Sequence, residues 1–522
     1  MGEKMATRKK KLKFQLVRLK NFTKALLKNK KSRFGVIILT FFVAFAIIGP
    51  ETTKSDPLRP GSSAIEELPV AMDLCLPSWY RLFDQNLTET MYIISDPEFR
   101  NPNINKVWTN IKTSKPEITV EHSNAGLLSP GSTKIAFPTA GTAQLSVNFS
   151  YPFQKPIESF KIWFNVYVNA TLDEWIPVSK ANVTLKAFIT KGIKTFPVLT
   201  PPFGTIIQFN NRTTNRINTW LKIKYIDAFD PNLVDYFKKN YGDEPRNILF
   251  SSPSDVTFTL TVTYNVAQEV TDKIKNVTFL IDDFYIVLYG KTYGLLGTDN
   301  LGRDLYAQLA HGARISLIIG LGTAAISVLI GLIVGLVAGF IGGAVDEVLM
   351  RFTDMLMVLP TLPLLLVLIF VMGQSMLNII LVLTLLGWMG FSRTVRSMVL
   401  SIKERQYIEA AKAAGAPTSH IITKHIIPNV ASLVYVSLAL SVPSAIISEA
   451  ALSWLGLGPL DVMTWGRMLY EFENSGLRSL GAFTYWYWTV IPGLCIAALS
   501  LAFILIGYAM DEILNPKLRE RR

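Results

Sequence analysis

The hydrophobic pattern of the chain changes period twice. Residues 34–49 form one apolar run, and residues 51–294 switch to short alternating stretches. After residue 314 long apolar runs return, at Ile315 to Val345, Met355 to Met372, Met376 to Ser392, Ile426 to Leu457 and Trp486 to Met510. Such runs suit the hydrocarbon core of a bilayer, which takes about 20 residues of helix. Six transmembrane helices are therefore predicted. The run at Ile426 to Leu457 exceeds one simple span and includes Glu449, so part of it is expected to continue along the surface.

In the middle stretch the segments KIAFP, AQLSVNFSY, SFKIWFNVYV, NVTLKAFIT, TIIQF, TWLKIKYI, DVTFTLTVTYNV and NVTFLIDDFYIVLYG alternate or are rich in β-branched residues. Gly, Pro, Asn and Asp punctuate them. This predicts a β-sandwich inserted between the first and second membrane helices. No set of nucleophile, base and oxyanion donors is legible in it. Trp108, Trp163, Trp175 and Trp220 are its candidates for exposed aromatics of the kind that bind sugars. Sequons at Asn86, Asn148, Asn169, Asn182, Asn211 and Asn276 admit glycosylation.

Composition agrees with a membrane protein carrying a soluble part: half of the residues are apolar and 17% are charged. Residues 1–33 hold thirteen Lys/Arg against Glu3 alone, a surplus of +12 within a formal net charge of +13. With Phe14, Leu16, Val17, Leu19, Phe22, Leu26 and Leu27 among its lysines, this tail reads as an amphipathic segment on the bilayer surface and not as a nucleic-acid site. No small-x-small cleavage site follows the first apolar run, where Gly49-Pro50-Glu51 stands, so the run is read as a retained span with a cytoplasmic tail. Six spans counted from there put residues 342–354, residues 393–424 and the C-terminus in the cytoplasm. Arg393, Arg396, Lys403, Arg405, Lys412 and Lys424 obey the positive-inside rule on that count. Tyr485 to Trp488 open the last span at the opposite interface. Along the second span Thr323, Ser327, Gly331, Gly335, Gly339 and Gly343 recur every four residues, a seam for close helix packing. Cys75 and Cys495 fall in different compartments, and four scattered histidines give no metal spacing.

One polar loop stands out among these spans. Tyr407 to Asn429 reads YIEAAKAAGAPTSHIITKHIIPN. It predicts a helix over Glu404 to Ala414, a left-handed stop at Gly415, a turn at Ala416-Pro417, and a second helix capped by Thr418 or Ser419 that runs into Pro428. The pattern of Glu409, Ala410, Ala411, Gly415, His425, Ile427 and Pro428 resembles the EAA loop of ATP-binding cassette (ABC) importer permeases. His425 and Ile427 depart from the general form in the manner of the peptide-type branch. Leu295 to Leu317 resembles the segment that precedes the second span in dipeptide/oligopeptide/nickel-type permeases, matching at Asp299, Gly302, Arg303, Asp304, Gly312, Arg314, Ser316 and Leu317. Three further blocks agree, at Val345, at Glu449 (EAALSWLGLG) and in the last span after Pro492-Gly493. The resemblance is strong over Leu295 to Arg522 and weak over Phe34 to Gly49. The β-rich insert has no counterpart in it.

The resemblance implies a mainly α membrane protein with six transmembrane helices of the ABC importer type and an extracytoplasmic β-sandwich-like domain between helices 1 and 2. The expected layout is a basic cytoplasmic segment at 1–33, helix 1 at 34–50, the insert at 51–294 and the permease domain at 295–522, with a coupling loop at 393–428. Implied partners are a second homologous permease subunit, two ATPase subunits, an extracytoplasmic substrate-binding protein and the lipid bilayer. The chain itself is expected to bind no cofactor and to be no enzyme: its one GKT, Gly290-Lys291-Thr292, has Tyr285 where a phosphate loop needs Gly. Glu409, Ala410, Ala411, Gly415, His425 and Pro428 are the expected ATPase-coupling residues. Glu449, Arg303, Asp304 and Arg314 are candidates for the translocation pathway or its entrance, with bracing as the plainer role of the last three. The implied cargo is a di- or oligopeptide, with oligosaccharide or nickel as alternatives and a membrane-anchored carbohydrate-binding or adhesion protein as the rival class.

Overall fold

In the computed structural model, residue 27 and residues 29–514 are described, apart from 54, 60, 63–64, 128, 174–175, 177–179, 200–204, 209–215, 223–225 and 481–483. The basic tail up to Leu26, Asn211, Trp175, the Trp220 side chain and the Arg-rich C-terminal stretch lie outside the described residues. The chain divides into two compact units, Pro60–Arg303 and the remainder. The boundaries expected at 51 and 294 each lie nine residues from this division.

Alternation builds the first unit. A small pair, β1 (Gly61–Ser62) and β2 (Ile65–Pro69), precedes two antiparallel sheets. One sheet orders β10 (Lys194–Leu199), β9 (Ala181–Lys191), β14 (Ser254–Val266), β7 (Gly141–Tyr151) and β4 (Asn110–Thr113), with β11 (Thr205–Gln208) also on β9. The other orders β12 (Arg216–Lys222), β8 (Ser159–Leu172), β15 (Ile274–Tyr289), β6 (Ser132–Phe137) and β5 (Thr119–Ser123). Here β13 (Ile226–Asp227) joins β8 and β3 (Met91–Tyr92) joins β15. Every second residue of β7, β9 and β14 faces a shared core, in which Leu145, Val183 and Phe258 of one sheet meet Val166, Val168 and Phe279 of the other. This is a sandwich held by side-chain burial on its inner faces. Two short helices, α2 (Pro231–Tyr241) and α3 (Pro245–Leu249), add Leu233, Phe237 and Leu249 to that core.

Each of the eight expected segments contributes described residues to a strand, TWLKIKYI to both β12 and β13. The tryptophans require a correction. Trp108 is wholly buried, its Nε1 donating to Thr133 Oγ1 at 2.9 Å and its ring stacked 4.6 Å from Phe284. Trp163 is buried with Tyr285, Val287 and Tyr289, and Met72 packs against that cluster. Both are unavailable to a sugar because β15 is covered on both faces.

The second unit is helical. Among the described residues, helix α1 (Lys30–Thr52), helix α4 (Leu305–Ile341), the run Thr418–Leu457 and helix α13 (Trp486–Leu514) are each long and apolar enough to cross a membrane. Two bent pairs bring the count among the described residues to between four and six: α5 (Gly343–Val358) with α6 (Thr361–Met372) at 91°, and α7 (Met376–Gly387) with α8 (Met389–Lys403) at 41°. The run Met355 to Met372 is therefore not one straight helix. Pro360 forces the residue before it into extended backbone, and Leu359 has ψ of 136°.

The small-residue seam of α4 packs on α8. A Cβ on Gly331 would lie 2.8 Å from the Trp388 carbonyl oxygen, and one on Gly335 would lie 2.5 Å from that of Ser392. One on Gly339 would meet Val399 Cβ at 2.9 Å. Bare backbone lets the two helices approach. The seam stops there, because Gly342 (φ 75°) ends α4 and Gly343 has open space around it.

Candidate functional site

The loop singled out in the sequence folds as two short helices packed onto the α4–α8 seam. Helix α9 (Gln406–Ala413) is shorter than expected, and it ends in a Schellman motif. Gly415 N donates to Lys412 O at 2.9 Å and Ala416 N to Ala411 O at 3.1 Å, with Gly415 at φ 76°. The left-handed position is why Gly stands there.

Helix α10 (Thr418–Ile421) starts without a side-chain cap: Pro417 occupies the cap position, so neither Thr418 nor Ser419 plays the expected role. The chain then widens into a π turn over Ile422–Ile426 and continues as α11 (Ile427–Leu452). Pro428 accounts for the widening. It has no N–H for the carbonyl of Lys424, and its ring excludes that carbonyl. Asn429 Nδ2 donates to the next carbonyl, that of His425, at 2.6 Å.

Ile408, Ile421, Ile426 and Val430 are buried with Val395, Val399 and Ile402 of α8 and Leu336 of α4. Each such side chain stabilises the elbow by about 1.5–3 kcal/mol. The opposite side stays open: Glu409, Ala410, Gly415 and Pro428 are exposed, and Ala411 and His425 are half-buried. Tyr407 and His420 ring centroids lie 6.0 and 6.1 Å from that of His425. Lys403 and Lys412 are turned to Phe340, Lys403 donating to its carbonyl at 2.6 Å. Glu409 therefore stands on the open side, and both nearby lysines have their own engagements.

The other candidates are built into the frame. Arg303 and Asp299 form a buried ion pair at 2.6 Å, while Asp299 Oδ1 also accepts from the amides of Leu301 and Arg303. Asp304 caps α4 by accepting from Tyr306 N at 2.8 Å. Arg314 repairs α1. Pro50 leaves the carbonyl of Ala46 without a helical donor, and Arg314 Nε donates to it at 3.0 Å. Glu449 does not continue along a surface: it is buried, and its Oε1 accepts from Ser453 Oγ and Thr464 Oγ1, each at 2.7 Å. Ser453 and Thr464 were not legible as partners. Ser453 lies at the helical spacing i+4, a usable signal, whereas Thr464 follows a break that no periodicity crosses.

Gly290-Lys291-Thr292 cradles no phosphate. Its three amides donate to Thr90 Oγ1, Thr88 Oγ1 and Thr88 O at 3.0–3.3 Å, so none is left to bind an anion.

Long apolar helices joined by a polar elbow are the parts of a subunit that crosses the membrane. Residues 331–520 match the family described as "Binding-protein-dependent transport system inner membrane component". The oligopeptide transport system permease protein OppC of Bacillus subtilis (strain 168) is 39% identical over 226 residues, covering 43% of this chain and 72% of the relative. The dipeptide transport system permease protein DppC of the same organism is 41% identical over 224 residues, covering 43% and 68%. Among solved structures, an inward-facing MetNI methionine ABC transporter is 19% identical, covering 40% of this chain and 94% of that one, with a TM-score of 0.33, too low to carry an argument. The chain belongs to the binding-protein-dependent transport system inner membrane component family. It is a multi-pass, non-catalytic permease subunit of an ABC importer, and membership implies ATPase and other transporter subunits.

Proposed function

We propose that this chain moves di- or oligopeptides across the cell membrane, driven by two separate ATPase subunits that grip the elbow. The single observation that carries the reading is the elbow itself: a rigid, backbone-locked polar surface anchored by a buried apolar face to the base of two membrane helices. A surface so anchored moves as a body, and α11 leads from it into the membrane. Glu409, Ala410, Ala411, Gly415, His425 and Pro428 form the coupling surface, with Glu409 as the charge that meets an ATPase arginine. The peptide cargo is supported by the relatives' names and by the peptide-type ending His425 to Asn429. A second homologous permease subunit and a substrate-binding protein complete the machine. The termini face the cytoplasm and the β-rich insert faces outward, on the charge bias of the flanks.

Arg303, Asp304 and Arg314 brace the entrance through the contacts described above. The test is peptide uptake by the complete transporter in vesicles. Glu409→Lys and Gly415→Val are expected to cut ATP-driven uptake tenfold or more and to release the ATPase subunits on purification. Undiminished uptake in both, or uptake with no ATPase present, would sink the proposal.

A further inference from the structure

The end of α11 remote from the elbow carries a second joint. Glu449 Oε1 is bonded to Ser453 on its own helix and to Thr464, which stands at the start of α12 (Trp465–Asn474). The same Thr464 oxygen accepts from Arg467 N at 3.1 Å and so caps α12. One hydroxyl thus lies between a buried carboxyl group and the first turn of a helix.

Close backbone packing surrounds the pair. A Cβ on Gly466 would lie 2.7 Å from Ala450 Cα, one on Gly458 would lie 2.3 Å from Ser453 Oγ, and one on Gly456 (φ 82°) would meet the Tyr470 ring at 3.0 Å. On its other side Trp465 donates from Nε1 to Leu309 O of α4 at 3.0 Å, in space left by Gly312. Helix α12 is therefore held by α11 on one side and by α4 on the other. From the π turn at Ile422–Ile426 to Leu452, α11 is a rod of 26 helical residues, about 39 Å long, with Pro443 inside it, and beyond it the backbone leaves the helical region at Gly456 (φ 82°).

We infer that Glu449 is a positioning residue, latching the far end of this rod to α12 through Thr464, so that a displacement of the elbow reaches α12. The inference rests on the coupling role proposed for the elbow. A buried hydrogen bond is costly to leave unmade, so the latch holds while the rod moves. The carboxyl oxygen serves only to accept two hydroxyl protons. An amide oxygen at the same place does the same.

The test is pulsed electron paramagnetic resonance on the complete transporter purified with its ATPase subunits, with Cys75 and Cys495 replaced by alanine. One spin-label pair joins Ser419→Cys of the elbow to Ile37→Cys of α1, and the other joins Asn474→Cys of α12 to the same reference. Trapping with ATP and vanadate is expected to shift both distances in the otherwise unaltered protein. In Glu449→Leu and Thr464→Val the elbow pair still shifts and the α12 pair does not. Glu449→Gln and Thr464→Ser, which keep the oxygens, restore the α12 shift. A wild-type α12 shift in Thr464→Val overturns the latch, as does loss of both shifts in that variant with the complex intact. Thr464→Val decides the matter should Glu449→Leu fail to fold. If the elbow pair of the unaltered protein does not move with nucleotide, the coupling reading itself fails.

Discussion

Asp283 shows what a single residue can impose on the β-rich unit. It lies on β15 at φ 51°, wholly buried, with Oδ2 accepting from Asn165 Nδ2 at 2.8 Å. Its Oδ1 and the Oδ1 of Asn165 are both buried without a hydrogen-bond partner. Burial, then the charge of neighbouring Asp282, push its pKa up to about 6 from an ordinary 3.8. Because the folded value is the higher one, its contribution to stability is complete below the ordinary carboxylate range and is lost as pH rises through about 6. A displacement of that size in a buried carboxyl corresponds to roughly 3 kcal/mol. Hydrogen exchange of residues 279–286 in the full chain is expected to quicken between pH 4 and 7, and Asp283→Asn to flatten that dependence. An unchanged slope in the variant would assign the effect elsewhere. Nothing in the run FLIDDFYIV reveals this, since two acids in an apolar strand read as a bulge or an edge until the covering segments are known. Glu449 was legible as a notable charge because it interrupts an apolar run, and Ser453 lies one helical turn on, but Thr464 stands beyond the end of the helix.

At the scale of elements the sequence was most informative where a rule is local. The four-residue spacing of Gly331, Gly335 and Gly339 identified a packing face, and Gly415 identified a helix stop. The bend at Pro360, the π turn before Pro428 and the uncapped start of α10 were not legible, because each depends on which backbone groups find partners. The seam makes a sharp prediction. Gly335→Ala places a methyl 2.5 Å from the Ser392 carbonyl oxygen and 2.7 Å from Val395 Cβ, and overpacking of this kind costs about 1–3 kcal/mol. Gly343→Ala meets nothing within 4 Å and bears only the strain of φ 58°, about 1–2 kcal/mol. Thermal melting in detergent with separation of the complex as a second readout should distinguish them: Gly335→Ala loosens α4 from α8, while Gly343→Ala leaves that contact intact. Equal melting and equal assembly would show that the seam tolerates added volume.

For the molecule as a whole, the two cores were foreseeable and the strand order was not. β14 pairs with β7 and β9, and β15 with β6 and β8. Such distant partners leave no mark on local alternation. Residues 60–303 hold a complete sandwich core, so that fragment is expected to fold when expressed alone, giving a sheet-type circular dichroism spectrum and one cooperative melt; a disordered spectrum would refute its independence. The division between units falls between Arg303 and Asp304, inside the segment Leu295 to Leu317. Its first half is committed to the sandwich: Thr298 Oγ1 donates to Met72 O at 2.6 Å, Leu74 N to Asp299 O at 2.8 Å, and Asp299 pairs with Arg303. Its remainder, from Asp304 on, opens a membrane helix. Anyone grafting this insert onto a shorter relative inherits an awkward seam, because a join made upstream of Gly297 would separate residues 70–76 from the turn that fastens them. At this end of the insert the workable splice is a single peptide bond, that between Arg303 and Asp304.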